Sequence, residues 1–178
     1  MREKTRKGRK IGVLLGLALM LGSVLSATNG ASAYTHTGCS WGPYGSTVTW
    51  DRNLPAGDYR NTAGSAAYSW ANATDINGMD PTGGSMYGFL DNKGNNGYNG
   101  WATWSCNGSA TGWAYVTLNP YYMDTKTYTE KKTVWVHEFG HGLGLNHSGS
   151  GAVMYNCSLC TGFSLPQTDD INGINVLY

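Results

Sequence analysis

HEFGHGLGLNH, residues 137–147, is the stretch that decides the fold of this 178-residue chain. His137 and His141 are four residues apart, so on a helix their side chains project from one face, a single turn apart. Two imidazoles at this spacing can bind one zinc ion, and Glu138 beside them faces the open side of the metal. The spacing therefore predicts a metal-binding helix with a carboxylate placed for general base chemistry.

The second half of the stretch predicts a third metal ligand. Gly144 permits a sharp departure from the helix, because glycine adopts backbone angles that other residues resist. The turn can bring His147 back towards the first two histidines. Three neutral nitrogens leave one zinc position for water, which is the pattern of a catalytic site rather than a structural one.

A methionine turn completes a family pattern. The extended histidine motif followed by such a turn is the metzincin signature, and residues 151–155, GAVMY, supply the turn. Within metzincins, His-Ser at 147–148 and Met-Tyr at 154–155 resemble the matrixins, the matrix metalloproteinase family. Residues 165–174 are similar to the closing helix of a matrixin catalytic domain. The resemblance is specific over 134–178 and vague before it.

The resemblance implies an α+β domain of the metzincin and matrixin type. Its sheet would be twisted and mostly parallel with an edge strand, accompanied by the zinc helix, the methionine turn and a C-terminal helix. One catalytic zinc would be held by the three histidines, and Glu138 would activate a zinc-bound water for peptide hydrolysis. Structural support is expected from Gly144, Met154, Tyr155, Asp169 and Asp170, with one of the two aspartates pairing with the new ammonium of Tyr34 after leader removal.

The first 33 residues have the pattern of a secretory signal peptide. A basic stretch at 2–10 precedes an apolar run at 11–27, and Ala31-Ser32-Ala33 is a small-x-small cleavage site. An uncleaved membrane anchor is the alternative, but the run is short for a bilayer span. We therefore expect residues 34–178 to be one extracellular catalytic domain, monomeric and without stable membrane association.

Charge and cysteine content limit the partners. The leader holds six of the twelve Lys and Arg and one of the eleven Asp and Glu, so residues 34–178 carry a net charge of −4. No basic patch remains, which excludes nucleic acid as a partner. The four cysteines of an exported chain indicate two disulfides. The favoured pairing is Cys39–Cys106 with Cys157–Cys160, although the latter two could instead be a redox pair or a second metal site.

Local patterns predict the order of the elements. Strands are expected at Thr47–Trp50 and Trp113–Leu118, a helix at Tyr59–Ala73, and mostly loop at Asp75–Gly100. Thr127 with Glu130 forms a capping-box pattern that opens the zinc helix. Thr168, followed by two aspartates, is expected to cap the last helix.

The substrate is expected to lie extended and to pair with an exposed sheet edge. Residues 113–117 resemble the matrixin strand above the zinc, so Trp113, Ala114, Tyr115 and Val116 are the predicted substrate-binding residues; an ordinary buried strand is the alternative. Residues 155–166 would wall the pocket for the side chain that follows the cut bond.

Matrixins generally hold a second zinc and calcium in the loop before the edge strand. His36 is the only histidine besides the motif's three, so a histidine-rich structural zinc site is not expected. Residues 91–97 are rich in oxygen but have one carboxylate and no EF-hand spacing, which favours a turn-forming loop and leaves Ca²⁺ without support. The sequence contains no Pro-Arg-Cys-Gly motif, so a small form without the cysteine-switch prodomain is expected.

The predicted function is that of a secreted zinc-dependent endopeptidase acting on protein or peptide substrates. Seven Trp and twelve Tyr also suit an exported binding module that stacks on polysaccharide. A third interpretation is a metalloprotease-like protein without activity, which the intact Glu138 disfavours. Metal content together with turnover that depends on Glu138 separates the first and third, and retention on insoluble glycans would favour the second.

Overall fold

The structure, a computed structural model, describes residues 33–42 and 46–178. The predicted signal peptide therefore lies outside the described residues, except for Ala33. The strands are β1 (Thr47–Asp51), β2 (Gly78–Asp80), β3 (Met86–Leu90), β4 (Gly100–Asn107) and β5 (Ala110–Leu118). The helices are α1 (Asp58–Ala73), α2 (Pro120–Met123), α3 (Tyr128–Leu143) and α4 (Thr168–Asn175).

The strands form one mixed sheet in the order β2-β1-β3-β5-β4. The first four of these are parallel to one another, and β4 runs antiparallel to β5. A two-residue loop, Gly108-Ser109, joins β4 to β5, and Gly108 has the positive φ of 63° that such a hairpin requires. The domain is therefore α+β, as predicted, and β4 is the strand at one edge of the sheet.

The core lies between the sheet and the two long helices. Small side chains on α1, such as Ala63 and Ala67, are buried and let this helix approach α3 closely. Trp70 of α1 is fully buried, and its indole N–H donates to the carbonyl of Val136 over 2.9 Å. Three tryptophans, Trp50, Trp70 and Trp135, have no exposed surface. Much of the aromatic content is thus core, where such rings bury about 150–250 Å² each.

The expected elements are mostly present, with two corrections. The predicted first strand and first helix are confirmed to within one residue of their bounds. The predicted 113–118 strand is confirmed as part of β5, which begins three residues earlier, at Ala110. The expectation of loop at 75–100 is wrong in part, because it contains β2 and β3. Strand β3, MYGFL, is an interior parallel strand with no polar alternation, so its pattern carries no period-2 signal. Helix α4 begins at Thr168 and the cap is Gln167, one residue earlier than predicted.

Candidate active site

Both ends of α3 are fixed by short-range contacts. The Thr127 hydroxyl accepts from the backbone N–H of Glu130 over 3.2 Å, and the Glu130 carboxylate accepts from the N–H of Thr127 over 2.9 Å. This is the predicted capping box. At the other end, Gly144 has φ 114° and ψ 8°, and a β-carbon there would lie 2.8 Å from the carbonyl oxygen of Cys39. Only glycine fits this exit, which turns the chain back towards the helix.

The turn brings three histidines together. His137 and His141 project from α3 and are buried, whereas His147 follows the turn and is exposed. One nitrogen from each ring lies within 4.8 Å of the other two. Nε2 of His141 and Nε2 of His147 are 3.3 Å apart. The predicted triad therefore forms a cluster with the spacing of metal ligands.

The donor set fits a zinc ion. Nδ1 of His137 donates to the carbonyl of Val153 over 2.8 Å, and Nδ1 of His141 donates to that of Leu145 over 2.7 Å. These bonds occupy the Nδ1 atoms, so the Nε2 lone pairs are left to converge on a metal. Two nitrogens bound tetrahedrally at zinc–nitrogen distances of about 2.0–2.1 Å would be about 3.3 Å apart. The separation of His141 and His147 matches that value.

Burial keeps the histidines in the metal-binding form. It lowers the pKa of His137 to about 4 and that of His141 to about 3, because the charged imidazolium is desolvated. Partial burial also lowers the pKa of His147, whose ring is less buried than those of His137 and His141. All three are therefore neutral at neutral pH, and only neutral imidazole binds a metal.

Glu138 lies beside the cluster on the same helix and is only 4% exposed. Desolvation raises the pKa of its carboxyl group to about 8. The first residue of β4, Gly100, lies directly over this carboxylate, since a β-carbon at Gly100 would be 3.0 Å from Oε1. A buried carboxyl group that lines the same cleft as the histidines is a candidate for taking up and releasing a proton.

The methionine turn lies under the histidine cluster. Met154 is fully buried, and a β-carbon at Gly140 would be only 2.2 Å from its Sδ. Gly140 lies between the two helical histidines, so the thioether packs directly against the metal-binding turn of α3. Tyr155 pairs with Ser148 as an isolated bridge and so ties the turn to the segment after His147.

The two aspartates of α4 have different neighbours. Asp170 is fully buried and accepts from the backbone N–H groups of Val153, Met154 and Gln167 over 2.7–3.1 Å. It therefore anchors the methionine turn on α4. Asp169 accepts from the Ser148 hydroxyl and, over 3.0 Å, from the backbone N–H of Ala33. Asp169 is thus the acidic group that lies nearest the start of the described chain.

A cleft of about 660 Å³ runs past the histidines. Its floor is formed by His137, Glu138, His141 and His147. One part of its wall comes from β4 and the loop before it, and another part from residues 156–158. Trp104 lies in the part of the wall formed by β4. Its ring stacks nearly parallel to that of His141, with ring centroids 6.1 Å apart and an interplanar angle of 16°. Among the described residues that line the cleft, Glu138 is the only carboxylate and none is Lys or Arg.

The predicted substrate edge at 113–117 is wrong. These residues lie in β5, which has β3 on one side and β4 on the other, so its backbone is already paired. None of Trp113, Ala114, Tyr115 and Val116 lines the cleft. Ala114 and Val116 are buried in the core, while Trp113 and Tyr115 are exposed on the sheet. The edge beside the histidines is β4, which the sequence analysis did not identify.

A local signal for β4 was present in the sequence. The dipeptide Gly108-Ser109 between two apolar or β-branched runs is a typical two-residue hairpin connection. It predicts that the preceding strand pairs with β5 and continues the sheet outwards. The register confirms this arrangement, with Gly100 opposite Leu118 at the start of β4.

Four aromatic side chains on the sheet, two exposed and two half-buried, pack against one another. Tyr115 lies 4.8 Å from Trp113, 5.3 Å from Tyr87 and 5.4 Å from Phe89 between ring centroids, with interplanar angles of 35–56°. Each ring thereby covers part of its neighbour's face. This packing differs from the open row of flat rings on which a polysaccharide would stack.

Two disulfides join the four cysteines. Cys39 is bonded to Cys106 and Cys157 to Cys160, which is the pairing that the sequence analysis favoured. The first links the segment before β1 to the end of β4. The second lies in the wall of the cleft formed by residues 156–158.

Comparison with known proteins agrees with this geometry. The family model for the matrixins, peptidase M10, matches residues 50–178. Interstitial collagenase of Equus caballus is 52% identical over 46 residues, which are 25% of this chain and 10% of the collagenase. Matrix metalloproteinase-18 of Xenopus laevis is 41% identical over 68 residues, or 33% of this chain and 14% of that protein. The match to the family model, together with the histidine triad and the buried glutamate, means that the chain belongs to the matrixin family of zinc metalloendopeptidases.

Proposed function

We propose that residues 34–178 are the catalytic domain of a secreted endopeptidase that cuts extended segments of proteins or peptides. The observation that carries this proposal is the convergence of three histidine nitrogens within 4.8 Å beside a buried glutamate, on the floor of an open cleft. The matched segments span only 10% and 14% of the two relatives, so what those whole proteins do is not transferred to this chain.

His137, His141 and His147 would hold one zinc ion through Nε2 atoms. When bound there, zinc supplies Lewis acidity, which polarises a carbonyl group and lowers the pKa of water. Val153 and Leu145 orient two of the rings through their carbonyl oxygens. Such outer contacts fix the ring orientation and raise the basicity of the ligating nitrogen.

Glu138 is the proposed general base and acid. Its carboxylate would accept a proton from the attacking water as the new C–O bond forms at the scissile carbonyl. The same carboxyl group would then deliver that proton to the departing amine nitrogen as the C–N bond breaks. The reaction balances, because one water is consumed and the cut peptide gains a new carboxyl terminus and a new amino terminus. A carboxyl group desolvated in this way is a stronger base than one in water.

Strand β4 is the proposed docking edge for the substrate backbone. It is hydrogen bonded to β5 on one side and is terminal in the sheet on the other. An extended peptide can add to such an edge through main-chain hydrogen bonds, which hold the scissile bond in register over Glu138. Because Glu138 is the one acidic side chain and neither Lys nor Arg is found among the described residues that line the cleft, we expect peptides with uncharged side chains near the cut bond to be preferred.

Secretion and a monomeric state are part of the proposal. The two disulfides fit an oxidising environment outside the cytosol. Among residues 33–42 and 46–178, no helix is long and apolar enough to cross a membrane. The leader pattern at 1–33 supplies the export route in this proposal.

Hydrolysis of a quenched peptide library tests the function. The purified protein should cleave with zinc, lose activity in a chelator, and regain it when zinc is restored. Glu138→Gln should keep one zinc per chain and lose nearly all turnover. Glu130→Gln is the matched control, because it makes the same change on the same helix at an exposed cap. Wild-type turnover by Glu138→Gln, or no cleavage by zinc-loaded protein, would overturn the proposal.

A further inference from the structure

Asn119 is a fully buried polar residue between β5 and α2. Its backbone N–H donates to the carbonyl of Asn99 over 2.8 Å, at the start of the cleft wall. Its side chain makes further contacts with residues more than twenty positions earlier in the chain. A buried amide with this many partners is costly to leave unpaired, so its contacts hold the two segments together.

The amide nitrogen of Asn119 faces three oxygens of one loop. Nδ2 lies 3.1 Å from the carbonyl of Gly94, 3.0 Å from Oδ1 of Asn96 and 3.2 Å from the carbonyl of Tyr98. On the other side, Oδ1 accepts from the N–H groups of Lys93 and Tyr121. The orientation of the amide is therefore set by its neighbours, with donors facing oxygens and the acceptor facing N–H groups.

The loop held by Asn119 forms a wall of the peptide cleft. Gly97, Tyr98 and Asn99 line the cleft beside the histidines. Tyr98 and Trp101 also line a second recess of about 540 Å³, together with Lys93 and Asn96. The two cavities adjoin the same two side chains, Tyr98 and Trp101. The position of the loop consequently sets the shape of both.

A second tether supports the same loop. The Tyr122 hydroxyl accepts from the backbone N–H of Gly97 over 2.9 Å and donates to Oδ1 of Asn95.

The oxygens around the Asn119 amide nitrogen resemble a partial cation cage, since carbonyl and amide oxygens are ligands that Ca²⁺ takes. The two N–H groups of the amide are shared among those three oxygens and occupy the place that a cation would take.

We propose that Asn119 is a positioning residue of the peptide cleft, whose amide nitrogen takes the place of a cation in ordering residues 94–99. The proposal rests on the proposed peptidase function for its kinetic consequence. The ordered wall binds the part of a peptide that extends beyond the cut bond, so its loss weakens the binding of long substrates. The proton transfers at Glu138 do not involve this wall.

Asn119→Asp is the decisive variant. It keeps an acceptor for Lys93 and Tyr121, but it replaces the donor group with an oxygen that faces three other oxygens. Those four oxygens, completed by water, suit Ca²⁺ at distances of about 2.3–2.6 Å. Asn119→Ala removes donor and acceptor together and offers no such cage. Asn61→Asp, on the exposed face of α1, is the charge-matched control.

In calcium-free buffer, the KM of Asn119→Asp for a peptide of about eight residues should rise about tenfold, which corresponds to one lost buried contact. The kcat and the zinc content should stay within about twofold of wild type. Added Ca²⁺ should restore KM in Asn119→Asp, but not in Asn119→Ala, and should leave wild type and Asn61→Asp unchanged. An unchanged KM, a raised KM that calcium does not lower, or a parallel loss of kcat and zinc would overturn the proposal.

Hydrogen exchange of the wild-type protein gives a readout independent of activity and of the folding of any variant. The N–H groups of Gly97 and Tyr98 are bonded to Tyr122 and Asn96. Their protection should be the same with calcium and with a calcium-selective chelator. Protection that disappears in the chelator would overturn the proposal. If the protein cleaves no peptide, the peptidase function fails while this exchange measurement still decides whether the loop is ordered without a cation.

Discussion

Gly100 lies so close to Glu138 that a β-carbon on it would be 3.0 Å from Oε1 of the carboxylate. The same β-carbon would be 2.7 Å from the carbonyl oxygen of Thr117 and 2.9 Å from Cγ1 of Val134. The first residue of the edge strand therefore has no room for a side chain. This contact sets the distance between the strand proposed to bind substrate and the proposed base.

Gly100→Ala should therefore lower kcat/KM by about tenfold or more, because small displacements of reacting groups cost large factors in rate. The strand must move away from β5 or Glu138 must turn aside. Zinc content should remain at one per chain, since no histidine is contacted. The measurement is steady-state hydrolysis with metal analysis of the same samples.

Gly112→Ala is the matched control for this change. Gly112 lies in the other strand of the same hairpin, and a β-carbon there would be 3.0 Å from the Ser105 hydroxyl, the end of a side chain that can rotate, and 3.7 Å from the Ser105 carbonyl oxygen, an ordinary contact. The kcat/KM of Gly112→Ala should stay close to that of wild type. Equal losses in the two variants would mean that hairpin stability, rather than the contact with Glu138, is responsible.

The zinc helix could be predicted because its determinants are local. The spacing of His137 and His141, the capping box at Thr127 and the exit at Gly144 all lie within one stretch of the chain. The position of the substrate edge could not be found in the same way. Residues 113–117 have the pattern of a strand wherever they lie in the sheet, and their place depends on pairing with β3 and β4.

Asn119 illustrates the same limit for a polar residue. Asparagine before proline favours a turn, and Asn119 does cap the short helix α2. Its main contacts, however, reach Gly94, Asn96 and Tyr98, which no local pattern connects to it. Composition alone likewise could not separate the buried Trp50 and Trp70 from an exposed binding surface.

Gly140→Ala should destabilise the metal site through Met154. The added β-carbon would lie 2.2 Å from Sδ of Met154 and 3.0 Å from Cζ2 of Trp70. Overpacking of this kind costs about 1–3 kcal/mol, which exceeds the gain of about 1 kcal/mol for alanine over glycine in a helix. We expect a lower free energy of unfolding and weaker zinc binding, measured by denaturation and by competition with a chelator.

A double-mutant cycle locates the cause of that loss. Met154→Ala removes the side chain that the new methyl group would meet, so Gly140→Ala should cost less in that background than in wild type. Strictly additive losses would show that Met154 is not the residue displaced, and that Trp70 or the helix backbone is.

The capping box at the start of α3 should make stability depend on acid pH. The backbone N–H of Thr127, and then Lys126, lower the pKa of Glu130 from 4.5 to about 2. The folded state thus favours the ionised form, so this contribution is complete above pH 4.5 and is lost as the pH falls towards 2. Glu130→Gln cannot ionise, so the stability difference between wild type and this variant should shrink through that window. Denaturation at several pH values measures it, and a difference that stays constant from pH 7 to pH 2 would rule the capping box out as the cause.

The two disulfides should differ in what their removal changes. Cys39–Cys106 closes a sequence separation of 67 and Cys157–Cys160 a separation of 3. Loop-closure entropy then predicts losses of about 4 kcal/mol for the first bond and about 2 kcal/mol for the second. The first also anchors the segment before β1 to the end of β4, whereas Cys157 lies in the cleft wall.

Replacing both cysteines of a pair by serine should therefore lower mainly the unfolding free energy for Cys39–Cys106, and should change mainly the peptide preference for Cys157–Cys160. Denaturation and library cleavage of the two double variants measure this, and an altered peptide preference confined to the Cys39–Cys106 variant would contradict the placement of Cys157 in the substrate wall.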